Sequence, residues 1–437
     1  MSFIDPIHGR IGIPSWLNRI LNHPLVRRTM FIRQLGLKAY IDFPGAIHTR
    51  FSHLIGTMHL AGKLCDILVN KLSEIAEGKE VRDIINQQKN NIMIAGFLHD
   101  IGHGPFSHAI DFALKRVSKY THEEISSKLI EEFSEIEAHA DLKKISQIVS
   151  GKFEYPFITK IINGPIDVDK LDYLIRDSYH VGLKYYFDVE LFMYKYALIG
   201  LEQKENLKKI TLGLEYQEDD KTAITTAEIF LTIWRGMYDL VYYKDKSRVA
   251  EKMLEYAVLH LADEKDEFKN KLLDLKELSN LDDDSLLREL EKGDAFCQDI
   301  LQKIRQGNVY KILFKEDLGN FANIPKFWDD CKKDPDNVGY ILTQKICEEK
   351  GLSELEPAII CDIVPSKVLK EKISLSKINE ETGEPYDLTE VSDILSSFKP
   401  KFELRICIDQ EKISSEDNEK MKEEVKNIIK GLIEEWK

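Results

Sequence analysis

Phe97-Leu98-His99-Asp100-Ile101-Gly102-His103-Gly104-Pro105-Phe106-Ser107-His108 is the stretch around which the rest of the chain is organised. Three histidines and a carboxylate fall within ten positions, beginning with the adjacent pair His99 and Asp100. The apolar residues Ile92, Met93, Ile94, Ala95, Phe97 and Leu98 come before the pair and predict a buried helix that delivers it to the helix end. Gly102 and Gly104 break that helix, and Pro105 suits the first turn of the next one. An isolated His-Asp pair would read as a capped helix end. Here seven of the twelve histidines (His48, His53, His59, His99, His103, His108 and His122) lie between positions 48 and 122, and that clustering points to a metal site.

Working outward, Val26 to Leu37 reads as a helix ending at Gly36, and Phe43-Pro44-Gly45 as a turn. Leu54, Met58, Leu60, Leu64, Ile67, Leu68 and Leu72 keep a helical period from Arg50 to Glu77. Residues 79–90 form a polar helix or loop before the helix carrying His99. Thr121 with Glu124 makes a capping box, placing His122 in a first turn. Residues 158–178 are helical around a break at Asn163-Gly164-Pro165. Ile210–Tyr216 alternates and, with the turn-like Gln217–Lys221, predicts a hairpin, whereas Ala227–His260 is helical. The span 264–310 is charged, helical and peripheral. Tyr340–Leu342, Ala358–Ile363 and Phe402–Ile408 are strand-like, and Glu411–Lys437 is an amphipathic helix. A catalytic domain over 1–320 and an accessory α+β region over 321–437 follow from this pattern.

Composition sets the bounds. At 437 residues, with 43% hydrophobic and 31% charged residues, the chain can bury a large core. No apolar run reaches membrane-span length, and the six scattered cysteines lack a Cys-x-x-Cys pair, which together predict a cytoplasmic protein with reduced thiols. A net charge of −14 argues against broad nucleic-acid binding, which rests on phosphate neutralisation. Residues 1–50 nevertheless carry seven basic residues against two acidic ones, a local balance suited to a small anionic ligand.

Four ligands stand out: His53, His99, Asp100 and Asp169. Two imidazoles with two carboxylates suit an octahedral divalent ion such as Mn, Fe or Mg better than a closed tetrahedral zinc site. Such an ion keeps open positions for water and a phosphate oxygen. Asp169 enters through Ile166-Asp167-Val168-Asp169-Lys170-Leu171-Asp172-Tyr173-Leu174-Ile175-Arg176-Asp177. On a helix, Asp169, Tyr173, Arg176 and Asp177 share a face while Leu171, Leu174 and Ile175 turn to the core.

Arg50-Phe51-Ser52-His53, then His99-Asp100, then Asp169 resembles the H…HD…D signature of the HD-domain phosphohydrolases. Phe43-Pro44-Gly45-Ala46, His99 to His108, Thr121-His122-Glu123 and Asp167 to Tyr173 are similar, in the same order, to the deoxynucleoside triphosphate triphosphohydrolases within that group. Asp5-Pro6-Ile7-His8-Gly9 and Ile32-Arg33-Gln34-Leu35-Gly36 fit too, so the resemblance covers about residues 1–310. It implies a mainly α fold, an HD-domain helical core with a small C-terminal α+β region. It also implies hydrolysis of a nucleotide substrate to deoxynucleoside and inorganic triphosphate, and a homo-oligomer, dimer or tetramer. His53, His99, Asp100 and Asp169 match the family's metal ligands, and His108, His122 and Asp111 its catalytic group. Arg50, His103, Lys170 and Tyr173 match positions that hold the triphosphate, Gln34 and Asp177 positions near the sugar 3′-hydroxyl, and Leu35 a residue that crowds the 2′ position.

The chain departs from the family in places. Arg235 to Arg248 resembles the helix that packs on base and sugar, with Tyr242 or Tyr243 in the stacking role and Lys244 or Asp245 in place of a usual His. In the vertebrate-type members a guanine nucleotide activator is read by a segment matching Asn22 to Met30. Here Asn22 replaces the acidic residue, and Arg27 and Met30 the amide and arginine partners, while Arg27, Arg28 and Arg33 remain for phosphates. Two alternatives stay beside the triphosphohydrolase reading: an HD phosphohydrolase of a monophosphate or an oligonucleotide end, and a nucleotide sensor with little turnover. The complete ligand set with His108, His122 and Asp111 argues against the sensor.

Overall fold

The computed structural model describes residues 1–436 apart from 135–138, 202–205, 279, 322–323, 367, 369–370, 380–381 and 414–417. The fold is mainly helical with small sheets. A short hairpin, β1 (Ser2–Asp5) with β2 (Gly9–Gly12), leads into the central helices α1 (Arg50–Ser73) and α2 (Lys79–Leu98). Residues 79–90 are thus the first half of one helix with Leu98 at its end. Helix α1 buries most of its residues and α2 its second half, and α1 tolerates close packing because of Gly56. A Cβ there would lie 1.9 Å from Asp172 Oδ1, so α5 (Val168–His180) can press its polar face against α1.

Between them come α3 (Asp111–Ser118) and α4 (His122–Ile130). The capping box at Thr121 is present, with Glu124 Oε2 accepting from Thr121 N at 2.9 Å. The Asn163-Gly164-Pro165 break separates Pro156–Ile162 from α5, whose N-cap is Asp167. The long helical region divides into α6 (Thr222–Met237), a π-helical turn at Tyr238–Tyr242, and α7 (Asp245–Glu264).

Four local expectations are corrected. Val26–Leu37 is not one helix: Pro24–Arg28 is helical, Thr29–Phe31 is a 3-10 turn, and the chain then pairs with 48–49 through Gln34 N to His48 O. Gly36, at φ 52°, has no room for a Cβ beside the Phe106 carbonyl. Pro105 opens no helix, because the backbone is left-handed at Phe106 and at Ser107, the first residue of the 3-10 turn Ser107–Ile110. The hairpin forms on the other side: β4 (Thr211–Leu214) pairs antiparallel with the preceding β3 (Tyr196–Ile199), and the 217–221 turn feeds α6. Tyr340–Leu342 lies within helix α8 (Pro335–Lys350), where Asp334 at the N-cap and Pro335 at the first position decide for helix.

The helices of 266–306 are not peripheral, since Phe268, Leu272, Leu290, Phe296 and Ile300 join the main core. Beyond them β5 (Lys311–Asp317), β6 (Ile359–Pro365) and β9 (Phe402–Ile408) form an antiparallel sheet in the order β5-β9-β6. It is packed by α8 and α9 (Asn418–Glu434) into a second core with Phe327, Leu342, Leu404 and Ile429. The segment between β6 and β9 crosses back. β7 (Ser374–Ile378) lies parallel to β4 and antiparallel to β8 (Pro385–Asp387), and Ile373, Leu375, Leu388 and Leu395 enter the first core. All six cysteines are free and buried, Cys65, Cys297 and Cys407 in the first core and Cys331 and Cys361 in the second. No helix among the described residues is long and apolar enough to cross a membrane.

Candidate active site

The ends of α1, α2 and α5 converge on a cavity of about 510 Å³. His53 comes from the first turn of α1, His99 and Asp100 from the end of α2, and Asp169 from the first turn of α5. His53 Nε2 is 3.0 Å from Asp169 Oδ1 and 3.8 Å from Asp100 Oδ2, and His99 Nε2 lies 3.4 and 3.5 Å from the same oxygens. Both Nε2 atoms are buried without a hydrogen-bond partner. Their outer nitrogens are engaged: His53 Nδ1 with Asp172 Oδ2 at 2.8 Å, and His99 Nδ1 with the Gly96 carbonyl at 2.9 Å. Imidazoles fixed from behind, with the inner nitrogen left over, suit a divalent metal. Burial alone would raise the Asp169 carboxyl, but the two imidazoles outweigh it and hold it well below the carboxylate range.

A second cluster adjoins the first. Asp111 Oδ2 lies 2.7 Å from His108 Nδ1 and 3.0 Å from His122 Nδ1, and Asp111 Oδ1 lies 3.4 Å from His103 Nδ1. His103 stacks on His122 at 3.8 Å between ring centres. These four side chains are also spaced closely enough to surround a cation. In this cluster, however, His108 and His122 each turn Nδ1 to Asp111, and His122 Nε2 lies 3.2 Å from Glu123 Oε1, unlike the inward-aimed pair of the first. Burial lowers His103 to about 4, helped by Arg50 and His122. Burial acts the same way on His122, but Asp111 and Glu123 overcome it and push His122 up to about 9. The stacked pair therefore divides its roles, one imidazole neutral and the other charged.

Gln34, Leu35, Arg50, Lys170, Tyr173 and Asp177 line the cavity with His99, Asp100, Asp169, His108, His122 and Asp111, while His53 and His103 sit buried behind its wall. Arg50 donates to Asp100 and, through Nε, to Ser107 Oγ at 2.8 Å; its Nη2 is buried without a partner. Lys170 Nζ donates to Asp167 Oδ2 at 2.8 Å, and Tyr173 OH accepts from Trp234 Nε1 at 3.0 Å. The expected charged face of α5 is corrected at Arg176. That guanidinium is buried on the far side, bound to both Asp172 oxygens and to Asp5. Both tyrosines left open by the sequence reach the cavity, and Tyr242 OH donates to Asp177 Oδ2 at 2.7 Å.

Several contributors were not singled out from sequence. Asp172, which orients His53 and bonds His8 Nε2 at 2.6 Å, was quoted only as part of its segment. His48 bonds Asp177 Oδ1 at 2.7 Å. The charged residues Arg248, Glu251, Glu255 and Asp336 also line the cavity, and nothing in their local sequence separates them from a solvated helix face.

Comparison with known proteins gives the same frame. The HD domain model matches residues 50–177 and the HD associated region model residues 219–429. An uncharacterized protein of Methanocaldococcus jannaschii is 28% identical over 434 residues, covering 98% of this chain and 83% of that one. The deoxynucleoside triphosphate triphosphohydrolase SAMHD1 homolog of Dictyostelium discoideum is 30% identical over 332 residues, 71% of this chain and 59% of its own length. The Bos taurus SAMHD1 enzyme is 30% identical over 358 residues, 71% of this chain and 58% of its own. The chain thus spans little more than half of these triphosphohydrolase relatives. A crystal structure of a phosphohydrolase from Bacteroides thetaiotaomicron, 23% identical, superposes with a TM-score of 0.69 over 94% of this chain and 99% of that one, and so shares the fold. With the ligand geometry and both matched regions in place, the chain belongs to the HD-domain phosphohydrolases.

Proposed function

We propose that the protein is a metal-dependent deoxynucleoside triphosphate triphosphohydrolase that releases deoxynucleoside and inorganic triphosphate. The observation that carries this reading is a set of buried polar atoms without partners around one cavity. They are Gln34 Oε1, Arg50 Nη2, His53 Nε2, His99 Nε2, both ring nitrogens of His103 and Asp111 Oδ1. Unmet buried groups are costly, so their concentration at one place calls for a ligand with both charge and hydroxyls. The similarity to SAMHD1 enzymes supports the nucleotide class.

His53, His99, Asp100 and Asp169 would hold the metal, Mn, Mg or Fe rather than zinc, which supplies Lewis acidity to the α-phosphoryl group and a lowered water pKa. Arg50 and Lys170 neutralise phosphate charge, with His103 and Tyr173 beside them. Gln34 and Asp177 bind the 3′-hydroxyl, and Leu35 occupies the 2′ side. Water oxygen forms the new bond to the α-phosphorus as the P–O5′ bond breaks, and the water gives up its proton to solvent. His108, oriented by Asp111, delivers its Nε2 proton to the departing 5′-oxygen.

Incubation with each dNTP, NTP and dNMP plus Mn or Mg, with products identified by mass, tests the reading. Deoxynucleoside and tripolyphosphate are expected in equal amounts. Primary release of orthophosphate or pyrophosphate would place the cut at another bond.

A further inference from the structure

Helix α7 carries Arg248, Glu251 and Glu255 on one face by three- and four-residue spacing, and all three line the cavity. Lys38 and Asp336 join them, the latter from the first turn of α8. The rest of α7 is buried and largely apolar (Val249, Ala250, Met253, Leu254, Ala257), so a charged stripe there is costly unless something faces it.

The cations of this wall are already spent. Lys38 pairs with Glu251, and Lys252 with Glu255 at 2.9 Å and Asp336 at 2.6 Å. Arg248 binds Asp336 at 2.8 Å and Asp362 at 3.0 Å. Three cations thus face four carboxylates, leaving an excess of hydrogen-bond acceptors. Glu251 and Glu255 are only 7% and 5% exposed. Burial, outweighing Lys252, pushes the Glu255 carboxyl up to about 7, so a ligand that donates hydrogen bonds to both of its oxygens would hold it ionised and draw that value down. Among the described residues, the hydrogen bonds of this wall run within it and to Asp362, none to the metal ligands or the histidine cluster.

We infer that this wall reads the nucleobase, and that Glu255, backed by Glu251, selects guanine, an assignment that rests on the dNTP reading above. Guanine presents N1–H and N2–H₂ side by side, two donors at the spacing of a carboxylate's two oxygens. Thymine presents one N–H between two carbonyls, which would face the carboxylates as acceptor against acceptor. Adenine and cytosine each offer one amino group beside an acceptor nitrogen and fall between. The cavity's phosphate-binding cations, Arg50 and Lys170, belong to the metal end, so the wall is free to take the base.

The test is kcat/KM for dGTP, dATP, dCTP and dTTP with the wild-type protein and with Glu255→Gln and Glu251→Gln. Glutamine keeps the volume and replaces one acceptor oxygen by a donor. The wild type is expected to favour dGTP over dTTP by at least about tenfold, with the ratio collapsing toward unity in Glu255→Gln. Equal rates on all four substrates, or an unchanged dGTP/dTTP ratio in both folded variants, would overturn the assignment. If Glu255→Gln does not fold, as read by circular dichroism, Glu251→Gln carries the comparison. If no dNTP yields triphosphate, the hydrolytic reading fails by itself. Calorimetric binding of deoxyguanosine against thymidine then decides the wall: tighter deoxyguanosine binding upholds it, equal binding removes it.

Discussion

At the cluster of His53, His99, Asp100 and Asp169, proposed above to hold the metal, hydrogen bonds from behind orient both imidazoles. Asp172 fixes the tautomer and tilt of His53 from behind, so Asp172→Asn is expected to weaken metal binding by roughly 10–100-fold without touching a ligand. Titration of Mn or Fe into the purified variant measures it, and wild-type affinity would show that the contact is only structural. Replacing His99 and Asp100 together by Ala is expected to remove bound metal and hydrolysis as one event. A folded double variant with wild-type turnover would contradict the ligand assignment. His122 binds its proton more tightly in the folded state, at about 9 against 6.5 unperturbed. Its contribution, at most about 3 kcal/mol, is therefore complete below pH 6.5 and lost as pH rises through 9. Melting temperatures should fall more steeply over that window in the wild type than in His122→Gln, and parallel curves would refute it. The structure brings these residues together around one cavity, and the sequence drew notice to them because they fall in short runs such as His99-Asp100 and His122-Glu123. Asp172 was not singled out, and His48 was noticed only as one of the clustered histidines, because a carboxylate or imidazole that acts from behind obeys no spacing that distinguishes it from its neighbours.

The loop from Ile101 to Ile110 depends on an element far away in sequence. Arg28, expected to serve phosphates, is instead buried in the helix Pro24–Arg28 and donates to the carbonyls of His103, Ile101 (3.3 Å) and Leu281 (2.9 Å). Nearby, Asp283 accepts from Phe106 N at 2.6 Å and Arg33 N at 3.0 Å. Arg28→Ala leaves these carbonyls unmet and is expected to cost about 2–4 kcal/mol in urea unfolding. A loss below 1 kcal/mol would mean that water replaces the guanidinium. The same segment bears on activation. Asn22 donates to Asn18 O at 3.2 Å, with no carboxylate in its place, and Arg28 is committed to the loop. GTP is therefore expected to leave dNTP hydrolysis unchanged, and strong GTP dependence that vanishes on mutating Asn22 and Arg27 would show otherwise. Long periodic helices such as α1 were readable from the sequence. The segment 24–37 was not, because its backbone is settled by Gln34 bonding to His48 and by Gly36 lying against Phe106, both contacts made only after folding.

At the scale of the whole molecule, the two apolar cores are stitched together. Arg248 on α7 is clamped by Asp362 on β6 and Asp336 on α8, while the segment 373–395 returns from the second core to pair beside β4. Calorimetry is expected to show one cooperative transition, and Asp362→Ala, by removing one of the two carboxylates that hold the partly buried Arg248, to lower its stability by about 1–2 kcal/mol. Two resolved transitions would mean that the cores unfold independently. The crossing was invisible in the sequence because strands of three to five residues carry little periodicity, and their partner β4 lies about 160 positions away.

The sealed thiols make the chain its own recorder of that process. Burial pushes Cys65 and Cys331 each up to about 12, and Cys361 well above its usual range, so alkylating reagents find no thiolate in the native protein. Each cysteine becomes reactive only when the core around it opens. The order in which a maleimide marks Cys65 and Cys361 would read out which half of the molecule gives way first, with no label added and no residue changed.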